Sequence, residues 1–191
     1  MAEFNLIRIS KLIKSELLLI ILGVLSITIF SIAVISFTKR GKAPPPAQTP
    51  WNENIYAGQT TKQELETKLG TPEKIEAIDE GVAYFYPTED RYRPDKIEIS
   101  GDTVSIIKEQ VLESEKGGLN NYLQKYGTPQ AKLYGPFGTI APGHFWGNNG
   151  IIVFGNEHDG TIVEIWYFAP TNLENFLAQN TKLKTEEPRG F

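Results

Sequence analysis

Two histidines, His144 and His158, are the side chains of this 191-residue sequence best suited to proton transfer near neutral pH, and the sequence has no cysteine. Each histidine falls at the edge of an expected hairpin. Metal chemistry finds no support in their spacing, because H-x-x-x-H and H-E-x-x-H are both absent and a zinc site would need a third ligand such as Glu157 or Asp159. Acyl-transfer chemistry lacks its nucleophile elbow, since no G-x-S-x-G occurs. The glycine-rich stretch Gly135 to Gly143 has neither a lysine nor a following helix with which to cradle phosphate, so it reads as a loop. Asp102 and Asp159 lie beside glycines, where aspartate serves turns by bonding its own backbone. The expectation is a chain with no catalytic residue, no metal ligand and no cofactor.

Aromatic side chains offer a different kind of chemistry, the rigid anchors that protein-binding surfaces use. They concentrate in strand-like segments. Alternation along the last of these places Ile162, Glu164, Trp166 and Phe168 on one side and Val163, Ile165 and Tyr167 on the other. Glu164 then marks a wet face, and Tyr84, Tyr86, Trp146, Glu164 and Trp166 are the expected protein-binding residues. The plain alternative is that these rings pack beneath helices.

The elements that must position them follow from capping and turn signals. Thr61-Lys62-Gln63-Glu64 is a capping box that opens a helix with Leu65 and Leu69 on one stripe, and Gly70-Thr71-Pro72 ends it. Strands are expected at Lys74 to Ile78, Val82 to Tyr86, Lys96 to Ser100 and Val104 to Val111, with turns at Asp79-Glu80-Gly81 and Gly101-Asp102. The order then recurs: a helix from Leu119 to Tyr126 is stopped by Gly127-Thr128-Pro129, a copy of the first stop displaced by 57 residues. Strands follow at Ala131 to Tyr134, His144 to Gly147, Ile151 to Phe154 and Thr161 to Phe168. Asn149-Gly150 predicts a type I′ hairpin. Thr171-Asn172-Leu173-Glu174 is read as a capping box opening a helix over 171–179.

Upstream, Leu17 to Phe37 is a run of 21 residues without a charge or a proline. As a helix it would span about 31 Å, the thickness of a bilayer core, so a transmembrane segment in contact with membrane lipid is expected at 17–37. A cleaved signal peptide is the alternative, but no convincing A-x-A cleavage site follows Phe37. Residues 1–16 form a basic amphipathic flank and 38–57 a proline-rich linker. A folded domain is expected over 58–180, with repeats at about 58–112 and 117–170 and the final helix at 171–179. The polar tail 181–191 is expected to be disordered.

Charge divides along the chain in the same way. Residues 1–50 carry six Lys/Arg against two Glu, leaving 13 basic and 21 acidic side chains in the remainder, a net of −8. An acidic domain disfavours nucleic acid, which needs clustered cations. The basic flank favours a cytoplasmic N-terminus and an extracytoplasmic C-terminal domain, as a single-pass protein of the cytoplasmic membrane.

Gly58-Gln59-Thr60-Thr61 with Leu65, Leu69 and Gly70-Thr71-Pro72 resembles the helix signature of the BamE/SmpA group of bacterial envelope proteins. The duplication is similar to β-lactamase inhibitory protein, the tandem form of that superfamily. The resemblance implies an α+β fold in which two helix-plus-antiparallel-sheet halves share one sheet that grips a partner protein. It departs in two respects: the second copy lacks the leading Gly-x-Thr, and no lipidated cysteine is available. The expected function is a membrane-anchored, extracytoplasmic protein- or peptide-binding domain without catalysis. The alternatives are a structural or assembly subunit and, third, a hydrolase or metal-dependent enzyme.

Overall fold

The computed structural model describes residues 48–52, 54–112 and 118–188, which belong to a compact unit spanning Pro46–Phe191. Helix α1 (Lys62–Leu69) begins as its capping box requires: the Thr61 side chain accepts from the Glu64 backbone N–H, and the Glu64 carboxylate accepts from that of Thr61 at 2.8 Å. Helix α2 (Leu119–Tyr126) has no side-chain cap. Both helices stop alike. Gly70 (φ 80°, ψ −164°) and Gly127 (φ 73°, ψ −156°) each donate a backbone N–H four residues back. With φ positive and ψ extended rather than helical, both glycines occupy a region that is essentially theirs alone.

Each helix precedes four strands. They are β1 (Lys74–Ile78), β2 (Gly81–Tyr86), β3 (Asp95–Ser100) and β4 (Thr103–Gln110), then β5 (Ala131–Leu133), β6 (Gly143–Trp146), β7 (Ile151–Gly155) and β8 (Ile162–Phe168). All eight join one antiparallel sheet in the order β1-β2-β3-β4-β8-β7-β6-β5. The two copies therefore meet through their last strands, β4 and β8, and run outwards from that seam as mirror sequences.

Register fixes what each face carries. One row across the sheet reads Ile75, Tyr84, Ile97, Ile107, Tyr167, Ile151, Trp146. It is apolar from β1 to β6, and the side chains of α1 and α2 pack over its inner part, Leu65 and Leu119 being buried. The adjacent row, on the opposite face, reads Lys74, Phe85, Lys96, Lys108, Trp166, Ile152, Phe145, Ala131. This row changes character at the seam, charged on the first copy and aromatic on the second. The aromatic half is covered by α3 (Leu173–Gln179), whose Phe176 sits 4.5 Å from Phe168 and 5.2 Å from Phe145 between ring centroids, and by Leu183 beyond it. The charged half has no such cover among the described residues.

Several expectations are corrected. The fold is an eight-stranded antiparallel sheet with three helices among the described residues; the transmembrane segment at 17–37 and the basic flank at 1–16 lie outside them. No described helix is long and apolar enough to cross a membrane. The domain begins before Gly58. Trp51, Ile55 and Ala57 are buried, and the Thr49 N–H donates to Asn149 O at 2.9 Å, so the end of the supposed linker is core. The tail is ordered as far as 188: Leu183 is buried, and Lys184 forms a backbone bridge with Tyr134, the residue after β5. Asn149-Gly150 closes a 3-10 turn rather than a type I′ hairpin, because Asn149 does not adopt positive φ. Asn172, not Thr171, caps α3, its side chain accepting from the Asn175 N–H at 2.8 Å. Finally, a bulge opposite Phe154 and Gly155 turns Ile162 onto the face of Ile165 and Tyr167.

Candidate functional site

The five residues expected to form a binding face are all buried. Tyr84, Tyr86 and Trp146 lie under the helices, where their polar atoms serve as pins. The Tyr84 hydroxyl donates to the Glu66 carboxylate at 2.7 Å, the Tyr86 hydroxyl to Gly70 O at 3.1 Å, and the Trp146 indole N–H to Gly127 O at 3.0 Å. The last two are equivalent contacts in the two copies. Each ring ties its Gly-Thr-Pro stop to the sheet, and burial pushes the Tyr86 hydroxyl up to about 12. Glu164 and Trp166 share the other face as alternation predicts, but they are 9% and 7% exposed. The Trp166 indole N–H bonds the Glu164 carboxylate, and Gln110 donates to that carboxylate's other oxygen at 2.6 Å. The Glu164 carboxylate is therefore hydrogen-bonded and enclosed and does not mark a wet surface. The exposed-anchor assignment fails because the segment 171–184, at a distance in sequence, closes over this part of the sheet.

What remains open is the neighbouring ground, which sequence reasoning passed over. Lys96 and Lys108 stand directly opposite each other on β3 and β4, an arrangement that like charges ordinarily disfavour. Glu98 relieves it. One of its oxygens takes the Lys108 ammonium at 2.6 Å and the Lys96 ammonium at 2.9 Å. Burial by itself would raise the Glu98 carboxyl, yet the bonds and charges of Lys108 and then Lys96 prevail and hold it below the usual carboxylate range. The Lys108 ammonium also lies 4.4 Å from the centroid of the Trp166 ring, which joins the charged ground to the aromatic wall. The signal for these residues was present in the alternation of Lys96-Ile97-Glu98-Ile99-Ser100, whose polar positions define a face of their own.

Two cavities open here, of about 350 and 580 Å³, sharing Ile78, Glu80, Glu98, Gln179 and Asn180 as lining. The smaller adds Lys96, Lys108 and Trp166; the larger adds Ser100, Ser105 and Ile106. Together they form a groove between the charged half of the sheet and the end of α3. Its floor holds fixed charges of both signs, and its wall offers backbone and the polar side chains of Gln179 and Asn180. Such a surface can orient a ligand by ion pairs and hydrogen bonds.

The histidines lie elsewhere. His144 is 1% exposed on the helix-covered face, its ring stacked 6.2 Å from that of Trp146 and its Nε2 3.8 Å from the Glu157 carboxylate. Burial lowers its pKa, against the pull of Glu157. His158 is exposed in a turn, and among the described residues no cluster of three His, Asp or Glu side chains could hold a metal.

No family model and no curated protein matches the chain. Solved structures do. A DUF4309 family protein, YjgB, from Bacillus subtilis is 18% identical with a TM-score of 0.48, over 64% of this chain and 88% of that one. A cysteine-rich secretory protein from Staphylococcus aureus is 9% identical, TM-score 0.47, over 75% and 54%. An extracellular protein containing an SCP domain from Bacillus anthracis is 16% identical, TM-score 0.47, over 80% and 55%. The chain spans about half the length of the latter two. The similar structures are thus DUF4309 and SCP-domain proteins, and the resemblance to the BamE/SmpA group and to β-lactamase inhibitory protein is set aside.

Proposed function

We propose that this chain is an extracytoplasmic, non-catalytic domain that binds another protein or a peptide segment in the groove over β1 to β4, without a cofactor. The observation that carries the reading is the unequal cover on one sheet. The second copy's face is closed by α3 and Leu183, whereas among the described residues no helix covers the corresponding face of the first copy, which ends in two joined cavities. A sheet face without cover is normally evenly polar and structurally idle. Here it carries two half-buried lysines locked onto one glutamate beside an indole, an expensive arrangement to maintain unless its charges are used. Glu98 is held as an anion and offers no proton to exchange near neutrality, which suits recognition better than turnover. Export is supported by the apolar run at 17–37 preceding an acidic domain, whether the run is retained or cleaved.

The test is affinity capture with residues 46–191 as bait, run beside a variant in which Ser100→Trp and Ser105→Trp fill the groove. Both serines are exposed, and circular dichroism of the variant checks that losing the Ser105 hydroxyl bond to Glu98 O leaves the fold intact. A partner retained by the wild type and lost by the variant is expected; equal retention would remove the groove from the account.

A further inference from the structure

The two ends of the sheet are treated differently. The β5 end of the sheet carries one backbone bridge just past the strand, between Tyr134 and Lys184, whereas no described strand or bridge pairs with the outer edge of β1. A bare edge is a template for another strand, and proteins usually blunt it with lysine or shorten it. β1 is short and carries Lys74, but it also carries Glu76 two residues on and, between them, Ile75, which is 55% exposed.

We propose that β1 pairs antiparallel with β1 of a second copy of this chain, about a two-fold axis that passes through Ile75. The axis stands perpendicular to the sheet, so the helix-covered faces stay on one side and residues of equal parity meet. In that register Lys74 of each copy stands opposite Glu76 of the other, and the two Ile75 side chains meet at the centre. The neighbouring registers are worse. An axis through Glu76 sets glutamate against glutamate, one through Lys74 sets lysine against lysine, and one through Ala77 sends Lys74 beyond the strand. The Lys-Ile-Glu spacing thus turns the charge that guards an edge into a selection for one partner and one register. Pairing removes Ile75 from water and satisfies the free backbone groups. It also sets two charged faces side by side, with the grooves facing the same way. The inference stands on the edge alone and is independent of what the groove binds.

The absence of cysteine makes a direct test possible in the full-length chain. Residues directly opposite in an antiparallel pair have Cβ atoms about 4.5 to 5.5 Å apart, close to disulfide reach. Ile75→Cys should therefore give a disulfide-linked dimer on mild oxidation, read on a non-reducing gel. Adding Lys74→Glu converts both attractive pairs into repulsive ones and should cut the dimer by about tenfold. Adding Glu76→Lys to that protein restores the pairs with their signs exchanged and should restore the dimer. Because all three side chains are exposed, circular dichroism should show each variant folded. No dimer from Ile75→Cys, or a dimer indifferent to Lys74→Glu, would overturn the proposal.

Discussion

Replacing Trp166 with alanine separates a ring that builds the fold from a ring that waits for a partner. The indole is 7% exposed, its centroid lies 5.1 Å from that of Phe154, its N–H bonds Glu164, and the Lys108 ammonium sits 4.4 Å over it. Truncating a buried tryptophan costs roughly 3 to 5 kcal/mol through lost transfer energy and the cavity left behind. Two further losses push towards the upper end. Glu164 keeps Gln110 but loses its other side-chain donor, a cost of about 1 kcal/mol, and Lys108 loses about 0.5 to 1 kcal/mol of cation–π attraction. At roughly 3 °C per kcal/mol for a domain of this size, Trp166→Ala should lower Tm by about 10 to 15 °C. Thermal unfolding followed by circular dichroism measures it. Trp166→Phe, which keeps an aromatic plane, should lose less than half as much. A loss below about 1 kcal/mol for the alanine variant would refute the burial argument and return Trp166 to the surface.

Other substitutions probe the duplicated stops, the tail and the buried histidine. Gly70→Ala and Gly127→Ala should each cost about 1 to 3 kcal/mol; since an added Cβ meets nothing within 4 Å at either site, the whole cost is backbone conformation, and similar values at both would mark the two stops as equivalent. Leu183→Ala should cost about 2 kcal/mol or more, and Gly135→Ala, whose Cβ would come within 2.4 Å of Leu183 Cδ2, should be milder in the Leu183→Ala background, a non-additivity read by denaturant titration. His144 has its pKa lowered on folding by burial, so the unfolded chain binds that proton more readily. Its contribution to stability is therefore intact above the unfolded value of about 6.5 and lost as pH falls below it; denaturation at a series of pH values should show stability level above about 6.5 and falling below it, and His144→Gln should flatten that fall.

All eight strands were legible, because alternating and β-branched segments bounded by glycine, aspartate and proline leave little freedom in where a strand starts. So were the duplicated stops, since Gly-Thr-Pro after a short apolar stripe has one physical reading. Cover was not legible. Alternation places Trp166 and Glu164 on one face, but nothing local says that residues 171–184 fold back over that face. The bulge that turns Ile162 inward depends on cross-strand pairing and was invisible for the same reason. Residues 48–57 were misread because proline and glutamine upstream suggest an extended linker, while Trp51 and Ile55 are the apolar residues that dock it. Lys96, Glu98 and Lys108 were passed over as ordinary polar strand positions. Their meaning lies in the register that brings two lysines opposite each other with one glutamate between.

The account rests on the bare half of the sheet being the surface that a partner occupies, and site-specific photo-crosslinking in the producing cells tests this most directly. A benzophenone amino acid would be placed at Ser105, on the groove, and in a second protein at Thr67, exposed on α1 across the sheet. A discrete heavier band from position 105 and none from position 67 is the predicted result, with the band lost when Ser100→Trp fills the groove. Crosslinks from position 67 but not from 105 would contradict the account and move the binding surface to the helix side.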